Sequence, residues 1–147
     1  MRYISTIALV FAACFLSRVT SAWAEIGQIK NVAGQVFLLR NNVQQPAKAG
    51  DLVEQADVLT TGRNGSVGIT FIDNSRFSAG PNTRIELTQF RFNPTTYEGE
   101  FTTDVKKGTL AIVSGQAAKR SPEAMKVVTP TTILGVRGTT FAVKVDE

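Results

Sequence analysis

The stretch from Val58 to Leu87, VLTTGRNGSVGITFIDNSRFSAGPNTRIEL, constrains the fold more than any other part of the chain. Three turn signals cut it into short runs in which apolar and polar residues alternate. Val67, Ile69 and Phe71 fall on one face of a strand, with Ser66, Gly68 and Thr70 on the other. This is the period-2 pattern of a sheet with one buried side. Asp73-Asn74 sits where a two-residue hairpin loop needs positive φ at both central positions, which Asn and Asp tolerate better than other non-glycine residues. Phe77 and Ala79 carry the return strand. Gly80-Pro81-Asn82 turns the chain again, and Ile85 and Leu87 resume the alternation while Arg84, Glu86 and Thr88 face water. The pattern specifies a β-meander and no activity.

Strand signals continue on both sides. Ile26 to Val32 reads as a first strand and Gly34 as a bend. The apolar run Val36-Phe37-Leu38-Leu39 predicts a strand covered on both faces. Leu52 to Asp57 reads as extended chain, since too little room is left there for a stable helix. After Leu87 the apolar positions change parity, to Phe90 and Phe92, and a β-bulge near Thr88-Gln89 would restore one buried face. Tyr97, Phe101 and Val105 share the face of a further strand, which Lys106-Lys107-Gly108 turns into Leu110 to Val113. Ser114 to Glu123 is polar and rich in small residues, and it is expected to be a flexible loop holding at most a helical turn at Ser121-Pro122-Glu123. Strands return at Lys126 to Thr129, at Leu134 and Val136, and in the strict alternation of Phe141, Val143 and Val145. The expected class is therefore all-β: a single domain of short antiparallel strands, as a β-sandwich or a β-roll with some solenoid character.

The first residues do not fit that pattern. Arg2 gives a positive start, Ile4 to Leu16 is almost wholly apolar, and Ala22-Trp23-Ala24 offers small residues where a signal peptidase cuts. Residues 1–24 are expected to be a signal peptide and 25–147 the mature domain, periplasmic or secreted. The apolar run is shorter than the roughly 20 residues that span a bilayer, and Arg18 interrupts it, so no membrane anchor is expected after cleavage. Lipidation at Cys14 is the competing reading, and Phe11 three residues before it is atypical of a lipobox.

Cleavage removes Arg2 and Arg18 and leaves 14 basic against 12 acidic residues, scattered along the chain. That balance argues against a nucleic-acid surface. The chain has no histidine, and its one cysteine is Cys14. The mature part thus lacks the usual base of a serine triad, a thiol nucleophile and the commonest zinc ligands, and no cofactor is expected. A carboxylate pair would suffice for a minimal glycan-active enzyme, and Asp51, Asp57, Asp73 and Glu86 are available. Asp51 after Gly50 and Asp73 before Asn74 are, however, fully explained as turn residues. Arg137, between Gly135-Val136 and Gly138, is the most unusual charged position. It either faces solvent or reaches a carboxylate in the core, and it is a candidate partner-binding residue together with Phe141 and Val143 of the last strand. That strand is expected to be an uncovered edge that adds a partner's strand.

The succession Ala33-Gly34-Gln35-Val36, Ala49-Gly50-Asp51-Leu52, Asp57 to Gly62, Asp73-Asn74-Ser75-Arg76, Gly80-Pro81-Asn82-Thr83, Thr129-Pro130 and Gly135-Val136-Arg137-Gly138-Thr139 resembles the FecR domain family over nearly the whole mature chain. Asn74 stands where that family usually has Gly. The resemblance implies an exported, β-rich, non-catalytic binding module of the bacterial cell envelope, whose partner is a protein or an envelope polymer. Members that regulate iron uptake also carry a sigma-factor-binding segment, a membrane helix and a further periplasmic region, none of which is recognisable here. The sensory part of an iron-uptake signalling system is the alternative that the resemblance raises.

Overall fold

The computed structural model describes residues 24–138 and 140–146. The expected leader, with Cys14, lies outside them apart from Ala24. Twelve strands and one short helix follow in order: β1 (Glu25–Ala33), β2 (Val36–Arg40), β3 (Val43–Pro46), β4 (Leu52–Glu54), β5 (Val58–Thr61), β6 (Ser66–Phe71), β7 (Arg76–Ala79), β8 (Arg84–Phe92), β9 (Gly99–Val113), α1 (Gln116–Arg120), β10 (Met125–Val128), β11 (Ile133–Gly135) and β12 (Thr140–Val145). The all-β class read from the alternation holds. The strands form one sheet curled into a half-barrel, in the order β3-β2-β5-β8-β9-β7-β6-β1-β4.

The long strand β9 makes the curl. Its first half pairs with β8, its second half with β7, and β10 and β12 lie along its other side. Lys106-Lys107-Gly108 was expected to reverse the chain, and instead the strand runs on through it. Gly108 has φ +91°, and a Cβ there would lie 2.2 Å from Thr83 Oγ1, so only glycine lets β9 bend at this close approach. Thr83 Oγ1 in turn accepts the Thr109 N–H at 3.0 Å, fixing the bend against the β7–β8 turn.

The bend brings the inner faces of the two halves together. Phe71 and Phe77 from one half meet Phe101 from the other, with ring centroids 4.7 and 5.1 Å away, and Phe90 stands 4.7 Å from Phe101. Ile29, Ile69 and Ile112 close the core from the first half, and Leu38, Leu59, Ile85 and Leu87 from the second. Burying such side chains stabilises by about 1.5–3 kcal/mol each.

Several local expectations change. The bulge in β8 is present as a register shift between Glu86 and Gln89, but Tyr97 lies in the preceding turn at φ 58° and is exposed, off the face of Phe101 and Val105. Only one face of β2 is buried, since Phe37 and Leu39 remain partly exposed. One pairing is parallel, β10 with β9. It is possible because α1 carries the chain back between them. That helix replaces the expected flexible loop: Ala117 and Ala118 are small enough to bury against the sheet, which a polar tally of Ser114–Glu123 does not show.

The Asp73-Asn74 loop also differs. Only Asn74 has positive φ (66°), and the loop extends from Ile72 to Ser75. Asp73 is fully buried, and it bonds a nearby backbone amide as expected of a turn residue. Its carboxylate accepts the Ser75 N–H at 2.9 Å and the Ser75 hydroxyl at 2.7 Å, and Ser75 Oγ accepts the Gly115 N–H at 3.0 Å. A turn residue has become the link between the β6–β7 hairpin and the start of α1.

Candidate strand-edge interface

β12 binds β9 through Thr140↔Val113, Phe141↔Ile112, Val143↔Leu110 and Val145↔Gly108, and it pairs with no other strand among the described residues. Its far side is an open edge of the curled sheet. Residues directly opposite in a ladder share a face. Phe77 and Ile112 are core residues, so Phe141 and Val143 point inward as well. Val143 is 7% exposed and Phe141 is half-buried against the core. Thr140, Ala142 and Lys144 face out and are exposed.

The segment between β11 and β12 lies beside this edge. Val136 turns inward, anchored by its N–H to the Met125 carbonyl at 2.9 Å, and Ser114 donates its hydroxyl to the Gly138 carbonyl. Arg137, one residue on from Val136, is thereby turned to the surface. It reaches no carboxylate among the described residues. Of the two arrangements open to it in the sequence, it takes the solvent-facing one.

Arg137 and Phe141 line one hollow of about 250 Å³ with Leu134 and Thr140. Val143 contributes to a neighbouring groove of about 530 Å³ between β12 and the Thr129–Thr132 turn, and Leu134 belongs to both. The three candidate residues therefore converge on one seam, in two roles. Arg137 is exposed, while Phe141 and Val143 form the apolar floor that an added strand would extend. Sequence reasoning missed Leu134 and Ile133 as part of this surface. They are 37% and 68% exposed on β11, whose outer edge is also unpaired among the described residues. Two adjacent large apolar residues in so short a strand were the available signal.

Of the candidate carboxylates, Asp51 and Asp57 both act on the charge of Arg40, while Asp73 belongs to the β6–β7 loop and Glu86 stands on β8 opposite Val58. Asp57 is buried under Arg40, which donates Nε to Oδ1 at 2.8 Å and Nη2 to Oδ2 at 2.6 Å. That hydrogen bond is the main cause holding the Arg40 pKa above its ordinary value. Asp51 accepts the Lys48 N–H at 2.8 Å and Asp73 holds its loop. Among the described residues no three Asp, Glu, His or Cys side chains stand close enough to hold a metal ion. A larger hollow of about 540 Å³ lies beside Arg91, Glu98 and Glu123. Its Arg91 is already paired with Glu100 at 2.8 Å, and nothing in it points to a ligand.

Fold and edge together define a class: an all-β domain built on one curled sheet that leaves a strand open at its rim. A family model described as FecR protein matches residues 57–147, more than half of the chain, and the chain belongs to the FecR family. The matched region begins at Asp57, so the motifs at Ala33–Val36 and Ala49–Leu52 lie before it. No curated protein and no solved structure matches the chain significantly. FecR is a regulatory, non-enzymatic family whose domains are typically periplasmic. Among the described residues, no helix is long and apolar enough to cross a membrane.

Proposed function

We propose that this chain is an exported interaction module of the cell envelope that takes up an extended segment of a protein partner along β12. The observation that carries the reading is the side of β12 that is unpaired among the described residues, with Arg137 and Leu134 set beside it. Main-chain hydrogen bonds to β12 supply affinity. Side chains of the incoming segment that fall on the inner face pack beside Phe141, Val143 and Val145 and lengthen the core by one strand. Membership of a regulatory family supports a protein rather than a glycan polymer as the partner. It also supports a second reading, in which the captured segment signals, as in iron-uptake regulation. Of the four candidate carboxylates, Asp51, Asp57 and Asp73 are committed to backbone or arginine, which leaves Glu86 without a second carboxylate for a hydrolytic pair.

A photo-crosslinking residue in place of Thr140 or Lys144 tests the proposal in intact envelopes. Adducts from those positions and none from Leu52 on the opposite rim strand, β4, are expected. Adducts from Leu52 alone, or equal adducts from all three, would overturn it.

A further inference from the structure

Resting on the edge reading above, we infer that the strand taken up by β12 is β12 of a second copy, paired antiparallel about a two-fold axis through Ala142. An occupant that suits this edge places aliphatic or aromatic side chains at alternate positions, beside Phe141, Val143 and Val145, and brings a carboxylate toward the exposed Arg137. The segment Thr140 to Asp146 meets both demands: Phe141, Val143 and Val145 alternate with Thr140, Ala142 and Lys144, and Asp146 follows.

The register follows from symmetry, overlap and charge, since an axis on Phe141 would leave only Thr140 to Ala142 of each β12 facing the other. A two-fold axis perpendicular to the sheet keeps both inner faces on one side, so inner residues meet inner residues and outer meet outer. Centring the axis on Lys144 sets two ammonium groups directly opposite, which is unfavourable. Centring it on Val143 puts Asp146 opposite Thr140 of the second copy, three residues from its Arg137. Centring it on Ala142 pairs Phe141 with Val143 and Lys144 with Thr140 of the second copy. It also carries Asp146 to the level of Gly138, next to Arg137. Asp146 is 81% exposed, and among the described residues its one ion pair is with Lys144 at 3.1 Å. Arg137 has no ion pair among the described residues. Two small alanines on the axis let the outer faces meet without crowding.

Sedimentation of the purified chain is expected to show a concentration-dependent dimer. Ala142→Lys, which sets two lysines opposite each other, should weaken it by roughly tenfold. Because Ala142 is exposed, the melting midpoint should stay near that of the parent. In a Cys14→Ser background, Ala142→Cys should oxidise readily to a disulfide-linked dimer. Thr140→Cys should not, since the two substituted positions would lie roughly 14 Å apart along the strands. A dimer indifferent to Ala142→Lys, or equal cross-linking at both positions, overturns the inference. A chain that stays monomeric while Thr140 and Lys144 still yield envelope adducts overturns the second copy and leaves the edge reading standing. A monomer without such adducts overturns both.

Discussion

Arg40 and Asp57 meet through two parallel hydrogen bonds, Nε to Oδ1 at 2.8 Å and Nη2 to Oδ2 at 2.6 Å, with the carboxylate only 1% exposed. The same guanidinium reaches Glu54 at 2.9 Å and the Leu52 carbonyl at 2.9 Å. One side chain on β2 thus fastens β4 and the turn into β5. Arg40→Met would leave Asp57 buried without its cation, and it is expected to cost about 3 kcal/mol in urea denaturation. Arg40→Lys should recover less than half of that, because an ammonium cannot form the fork. The raised Arg40 pKa contributes stability that is lost only when pH climbs past the unfolded value toward the folded one, so the term is flat through neutral pH.

Gly108→Ala is expected to destabilise by about 2 kcal/mol or more, combining a positive-φ penalty with a Cβ only 2.4 Å from Thr83 Cα. Because the bend places Phe101 over Phe77, the loss should appear as a broadened thermal transition with new exposed apolar surface, read by dye binding. A neutral Gly108→Ala would mean that the curl does not depend on this bend.

Thr103 carries the opposite prediction. Its hydroxyl is buried, 1% exposed, and it has no hydrogen-bond partner among the described residues. Thr103→Val removes an unsatisfied donor while nearly keeping the shape, and it should raise stability by about 1 kcal/mol. An unchanged or lower melting midpoint would refute this.

The legibility of the fold follows the range of the interactions that made it. Alternation is written in each strand's own residues, so it puts Val67, Ile69 and Phe71 on the core face, and the parity change after Leu87 announces the bulge. What decides Gly108 is Thr83, distant in sequence, and a Lys-Lys-Gly triplet reads as a turn until that neighbour is known. The same holds for Asp73, whose burial depends on Gly115 arriving above it to donate to Ser75. At the edge, Arg137 was conspicuous among glycines. The inward facing of Phe141 and Val143 came only from their register with Ile112 and Leu110.

Phe71 sits at the centre of the aromatic cluster, within 5.9 Å of Phe77, Phe90 and Phe101 by ring centroid. Phe71→Ala should cost about 3–5 kcal/mol, whereas Thr70→Ala on the outer face should cost under about 0.5 kcal/mol. Equal costs would place the core on the wrong side of β6.

Residues of the candidate interface should separate by what they touch. Val143 packs inward opposite Leu110, so Val143→Ala is expected to lower stability by about 1–2 kcal/mol through lost burial and a small cavity. Deleting Phe141 to Glu147 should go further. It strips the cover from Ile112 and Leu110 and leaves that side of β9 unpaired, so loss of partner capture in such a truncation says nothing about the edge. Arg137→Ala is the informative change. The side chain is exposed and holds no ion pair among the described residues, so its removal should leave the denaturation midpoint within about 0.5 kcal/mol. If Arg137 meets a carboxylate on the strand that β12 takes up, Arg137→Ala should lower capture and flatten its salt dependence, while Arg137→Lys should restore most of both. A variant that captures as well as the parent at low salt would remove Arg137 from the interface.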